Sequence, residues 1–165
     1  MKHQTISWLP LHETPNKMEK ERKIALAADH AGFATKEVIK KFLLEQGYTI
    51  VKDFGTLSEE SVDYPDFVHP LADAVSDHTY DFGLVFCGSG NGVNITANKH
   101  KGIRSALCWQ REIAEMARAH NNANVCAIPA RYISEELAKE IVFAFITSEF
   151  DGGRHERRIE KIESR

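Results

Sequence analysis

The run Phe82-Gly83-Leu84-Val85-Phe86-Cys87 carries no charged or hydroxyl side chain. A strand with one wet face alternates apolar and polar residues, whereas a strand covered on both faces does not. Such a strand belongs to a parallel sheet, whose crossover helices cover both faces. The remainder of the chain reads the same way. "IALAAD" is a buried strand ending at Asp29, and Val38, Ile39, Phe42 and Leu43 mark one face of a helix that stops at Gly47. "YTIVKDFG" is a second strand, and the helix after Pro65 runs through Val68, Leu71, Ala72 and Val75. "GIRSALC" and "ANVCAIP" are the fourth and fifth strands, separated by a helix with Ile113, Met116, Ala117 and His120 on one side. Ser134 caps a further helix, with Glu135 and Glu136 in its first turn and Leu137, Ile141 and Phe145 inward. The tail "GGRHERRIEKIESR" reads as a hinge and a charged helix. The pattern predicts an α/β fold: a single-domain three-layer αβα sandwich on a five-stranded parallel, Rossmann-like sheet in the order 2-1-3-4-5. Residues 1–22, without a period and with two prolines, are expected to be a flexible leader, and residues 23–165 the domain.

Several function classes are disfavoured at once. A net charge of -3 argues against nucleic acid as a partner, since phosphate-backbone binding needs a strong basic excess. No apolar run approaches the roughly 20 residues that span a bilayer, and the N-terminus lacks the apolar core of a signal peptide. Cys87, Cys108 and Cys126 are odd in number and form neither a CxxC nor a zinc pattern. They read as reduced thiols of a cytoplasmic protein, and Cys108 and Cys126 as small buried hydrophobes. The eight histidines form no i, i+4 pair and no HExxH, so no metal is expected.

In the predicted order the first and third strands are neighbours at a topological switch point, where ligands bind in open α/β sheets. Asp29-His30 and Cys87-Gly88 therefore meet. The glycines of Gly88-Ser89-Gly90-Asn91-Gly92 are not those of a dinucleotide loop, because the third arrives one position early and no acid ends the next strand. No lysine follows as a Walker loop requires. They do allow backbone N–H groups to turn inward at a helix N-terminus as an anion nest, and Cys87 stands where such donors favour a thiolate. Arg154 and Arg158, four apart on one helix face, make a phosphate clamp or a solvated charge run, with Arg131 and His30 as further candidates. His120 ends a helix, and helix C-termini lie at the sheet edge opposite the strand C-termini. Cys87 and His120 should then be about 17–20 Å apart, a strand length. If both act in one site, His120 serves a neighbouring subunit.

The segments "ALAADHAGFATKEVIKKFL", "DYPDFVHPLADAV", "VFCGSGNGVNITANKHKGIRSALC", "HNNANVCAIPAR" and "GGRHERRI" together resemble the type B ribose-5-phosphate isomerases. These belong to the sugar-phosphate isomerase family that also contains galactose-6-phosphate and allose-6-phosphate isomerases. The resemblance runs from about Lys23 to Ile162. It implies an aldose–ketose isomerase of carbohydrate metabolism, acting in the pentose phosphate pathway through a cis-enediolate, with no cofactor or metal. It implies Cys87 as general base; some relatives instead use a glutamate at the position of Val93. It implies His120 as the ring-opening residue, contributed across the interface of a homodimer or dimer of dimers. Asp29 and His30 then line the sugar and phosphate, Tyr64 the sugar pocket, and Asn121 contacts substrate. Gly88, Ser89, Gly90, Asn91 and Gly92 hold the reacting oxygen, and Arg131, Arg154 and Arg158 the phosphate. At this point a six-carbon sugar phosphate, or a non-catalytic sugar-phosphate or nucleotide module on the same fold, is still open as an alternative to ribose 5-phosphate.

Overall fold

A computed structural model describes residues 15–163. A short helix α1 (Lys17–Lys20) leads into β1 (Lys23–Ala28), α2 (Phe33–Glu45), β2 (Ile50–Asp53), α3 (Pro65–Ser76), β3 (Phe82–Cys87) and α4 (Asn91–Ala97). There follow β4 (Ser105–Leu107), α5 (Arg111–Asn121), β5 (Val125–Pro129), α6 (Glu135–Thr147) and α7 (Arg154–Glu163). The expected leader falls partly outside the described residues. Its last part contains α1, closed by a reciprocal capping box between Asn16 and Glu19.

All strand pairs are parallel, as the patterning requires. The order is β2-β1-β3-β5-β4, which corrects the expected 2-1-3-4-5 at one edge. The reason is burial. Every residue of β5 is buried, whereas all three residues of β4 are only half-buried. The apolar strand takes the inner place, and the short strand carrying Ser105 goes to the rim. The exchange matters for the site, because Cys87 now pairs with Pro129. Ala130 N–H donates to the Cys87 carbonyl at 2.9 Å and Arg131 N–H to the Gly88 carbonyl at 3.1 Å.

Two cores flank the sheet. Ile39 and Leu43 of α2, Ala114 and Ala117 of α5 and Ile141 and Phe145 of α6 pack on one face. Val68, Leu71 and Val75 of α3 and Val93 and Ala97 of α4 pack on the other. The buried stripe of α5 is Ala114, Ala117 and Arg118, so Met116, expected on the same side as Ala117, is turned out and 44% exposed. Arg118 is buried because its guanidinium lies 4.8 Å over the Phe82 ring and donates to the Ala123 carbonyl at 2.7 Å. Burial, with Arg22 and Arg104 nearby, pushes its pKa down to about 10.

Lys36 of α2 is fully buried, and its ammonium lies 2.6 Å from the Asp53 carboxylate at the end of β2. Burial alone would raise the Asp53 carboxyl. Lys36, the Gly55 N–H and Lys40 outweigh it and hold the carboxyl below its ordinary value. Asp53 also accepts from Gly55 N–H at 2.9 Å, which fixes the turn leaving β2. Asp53→Asn would leave Lys36 with only Glu37, a half-exposed partner. The expected loss in a urea titration is about 3 kcal/mol, the lower end of the cost of breaking a buried pair from one side.

Candidate active site

Three strand ends form a cleft. The C-terminal ends of β1, β3 and β5 meet at an open cavity of about 410 Å³. Asp29, His30, Tyr64, Cys87, Gly88, Ser89, Gly92 and Arg131 all line it, so most of the expected sugar-end residues share one place. Gly90 and Asn91 do not line it, although both belong to the same loop. Gly90 adopts a left-handed φ of 75° as the N-cap of α4, a conformation that costs a glycine little. That turn aims its N–H at Cys87 Sγ, 3.1 Å away. Cys87 itself is 5% exposed. Asn91 N–H is within 3.3 Å of Ser89 Oγ, and the side chain of Asn91 is exposed.

The surrounding groups are held by backbone donors. The Asp29 carboxylate accepts from Gly32 N–H at 3.0 Å, which ties the turn after β1. His30 Nδ1 accepts from Val62 N–H at 3.3 Å. A neutral His30 therefore carries its proton on Nε2. Arg131 lies on Gly88 so closely that a Cβ there would stand 3.1 Å from its Cδ. Tyr64, at the entrance to α3, lies closer still over Gly92.

His120, Asn121, Arg154 and Arg158 are elsewhere. His120 and Asn121 occupy the last turn of α5, next to the start of β5, and none of the four lines the cleft. The length of β5 separates them from the Cys87 end, about 16 Å at ~3.3 Å per residue. There they form a second cluster. The His120 ring stacks on His155 with centroids 4.3 Å apart and planes inclined by 7°. His120 Nε2 is 3.8 Å from Asp151 Oδ2. Arg154 and Arg158 extend into solvent from the same helix as His155. Burial, then His120, Arg154 and Arg158, hold the His155 imidazole below its ordinary pKa, against the pull of Asp151. The ligand atoms of His120, Asp151 and His155 lie within 4.8 Å of one another, but near-parallel rings do not aim their in-plane lone pairs at a common ion.

Sequence reasoning missed Ala31 and Tyr132 of the cleft wall, each adjacent to a residue it did find. It also missed His155 and Asp151 around His120. His155 sits one position after Arg154 in the motif already singled out, so the signal was present but was credited to the arginines. Cys108 and Cys126 are fully buried, and burial beside Cys108 pushes the Cys126 thiol well up, as inert core thiols require.

Comparison with known proteins bears directly on this cleft. The profile of the Ribose/Galactose Isomerase family matches residues 24–162. The chain belongs to this family. It is 42% identical over 141 residues to ribose-5-phosphate isomerase B of Escherichia coli, an alignment covering 86% of this chain and 94% of that one. The crystal structure of a Thermotoga maritima ribose 5-phosphate isomerase superposes with a TM-score of 0.85 at 50% identity, covering 87% and 99% of the two chains. The Mycoplasma genitalium ribose-5-phosphate isomerase B with bound ribulose 5-phosphate superposes with a TM-score of 0.81 at 38% identity, covering 86% and 93%. Ribose/Galactose Isomerase members of this fold share the Rossmann-like sheet described above.

In this family member Gly92 isolates one contact. A Cβ at Gly92 would stand 2.5 Å from Tyr64 Cζ, and its backbone is otherwise free to carry alanine. Gly92→Ala is expected to push the Tyr64 ring off its position and lower isomerase kcat/KM about 10²-fold, the cost of roughly 1 Å of misplacement. Circular dichroism and Tm should stay near wild type.

Proposed function

We propose that the protein is an aldose–ketose isomerase interconverting D-ribose 5-phosphate and D-ribulose 5-phosphate through a cis-enediolate, with residues 23–165 as its catalytic unit. The observation that carries this reading is Cys87: a nearly dry thiol at a strand end, receiving the Gly90 N–H at 3.1 Å, beside a glycine-built helix entrance. A thiolate accepts that hydrogen bond better than a thiol does.

In this mechanism His120 moves a proton from the anomeric hydroxyl to the ring oxygen, opening the sugar. The Cys87 thiolate then removes the C2 proton. The C2–H electrons form the C1–C2 double bond, and the negative charge settles on O1. The N–H groups of the Gly88–Gly92 loop that Cys87 and Ser89 leave free hold that oxygen. Cys87 returns the proton to C1 while the O2 proton passes to O1, leaving a ketone at C2. Asp29, His30 and Tyr64 position the sugar carbons and hydroxyls, with Asn121 completing the contacts. Arg131, Arg154 and Arg158 bind the phosphate, whose binding energy orients the reacting end.

The separation of the two clusters calls for two chains. We place Cys87 of one subunit opposite His120 of another, in a homodimer or a dimer of dimers. Tyr132 supports this arrangement: it lines the cleft, yet 77% of it is exposed in the single chain. The three unpaired cysteines fit a reducing, cytoplasmic setting. Among the described residues, no helix is long and apolar enough to cross a membrane.

Two experiments test this. Cys87→Ala should lower kcat on ribose 5-phosphate by about 10²–10⁴-fold, the contribution of a positioned base, with an unchanged circular dichroism spectrum. A near wild-type kcat would reject Cys87 as the base. Separately, inactive Cys87→Ala and inactive His120→Ala chains should regain activity when mixed under conditions of subunit exchange, because a mixed dimer holds one intact site. Exchange without recovery would place both residues in the same chain's site.

A further inference from the structure

On the outer side of α3 and the turn after α4 lies a chain of three side chains that the isomerase chemistry does not use. Asp73 Oδ1 is 2.8 Å from His100 Nδ1, and His100 Nε2 is 2.7 Å from Nδ1 of His69. His69 and Asp73 stand one helical turn apart on α3, and His100 follows the end of α4. None of the three lines the Cys87 cleft.

The proton assignment follows from the partners. Asp73 accepts, so His100 donates from Nδ1, and its Nε2 carries a lone pair. That lone pair accepts from His69 Nδ1–H. A carboxylate on one nitrogen of an imidazole, with the other nitrogen offered outward, is the orientation device that metal-binding histidines use. The turn bearing His100 is fixed to α3 a second time, since Ser76 Oγ donates to the Lys101 carbonyl at 2.6 Å. His100 itself is mostly covered, with 16% of its side chain exposed, whereas His69 is exposed and free to adjust.

We infer that His69 and His100 form a binding site for a first-row divalent transition metal such as zinc, with Asp73 as the orienting partner of His100. The ion replaces the proton shared between the two rings, and His69 then carries its proton on the solvent side, at Nε2. Zinc–nitrogen bonds of 2.0–2.1 Å in tetrahedral geometry need about 3.3 Å between the two nitrogens. The rings must part by roughly half an ångström, which the exposed His69 can supply. Water fills the remaining positions, and imidazole donors select zinc, nickel or copper over magnesium or calcium. The rings here are inclined by 48°, unlike the near-parallel pair His120–His155. The bound ion would clip α3 to the turn after α4. Spacing rules miss this site because the two histidines are 31 residues apart.

The test is a zinc chloride titration of the full chain at neutral pH in a non-chelating buffer, read by calorimetry and by the imidazole resonances of His69 and His100. Wild type should show a saturable step that shifts both resonances and raises Tm. His69→Ala and His100→Ala should each remove that step, and Asp73→Asn should weaken it about 10–100-fold. Isomerase activity without zinc should be unchanged in all three variants. The inference is overturned if zinc leaves both resonances unmoved, or if the step survives in both histidine variants, as it would if the metal went to His120, Asp151 and His155 or to a thiol.

Discussion

At the C-terminal end of β3 the backbone passes too near its neighbours for side chains to intervene. A Cβ on Gly32 would stand 2.4 Å from the Phe86 carbonyl oxygen, and one on Gly90 would stand 2.4 Å from Leu107 Cδ1. Real Cβ atoms do not tolerate such distances, so Gly32 sets how closely the turn after β1 approaches β3, and Gly90 how closely the entrance to α4 approaches β4 and β5. The rest of the cleft depends on that approach. It lets Gly32 N–H reach the Asp29 carboxylate, and it lets the left-handed turn at Gly90 direct an N–H onto Cys87 Sγ. With bulkier residues there, Cys87 would still end a buried strand but would face side chains in place of backbone donors.

The sequence made some of this plain and concealed the rest, for physical reasons. β3 was legible because an unbroken apolar run has few other uses, and β1 and β5 because they share its character. The edge order was not legible. Pattern reading takes strands as they come, while the sheet sorts them by burial. The short β4 is half-covered, and β5 passes inside it. Lys36 and Arg118 were invisible as core residues, because periodicity counts a charged side chain as an outward one. Each is buried by a specific partner: Asp53 for Lys36, and the Phe82 ring with the Ala123 carbonyl for Arg118. Such pairings join residues distant in the chain and leave no periodic mark.

The site residues divide in the same manner. The meeting of Asp29 and Cys87 was legible because strand C-termini in a parallel sheet share an edge; Arg131 joins them because β5 lies beside β3, and Tyr64 by lying over Gly92. His120 falls at the opposite edge for the equally general reason that α5 must return the chain to the start of β5. What spacing could not convey was the company His120 keeps. The stack on His155 fixes its ring plane, and Asp151 stands within 3.8 Å of its outer nitrogen. Both partners lie in the segment from Asp151 to α7, which folds back on α5.

In the proposed mechanism the two clusters make opposite demands on solvent. A thiolate that removes a carbon-bound proton works best with little water, and Cys87 is nearly dry. A phosphate clamp needs guanidinium groups that stay hydrated until the anion arrives, since burying unpaired charge costs several kcal/mol per ion. Cys87 ends a strand that the sheet covers, while Arg154 and Arg158 project from the solvent side of α7, so the fold keeps the thiol dry and these two arginines wet. In the proposed dimer Arg154 and Arg158 reach the Cys87 cleft, which already holds the exposed Arg131, across the subunit boundary. There the substrate phosphate neutralises the arginines as it arrives, and the unpaired charges are never buried without their counter-ion.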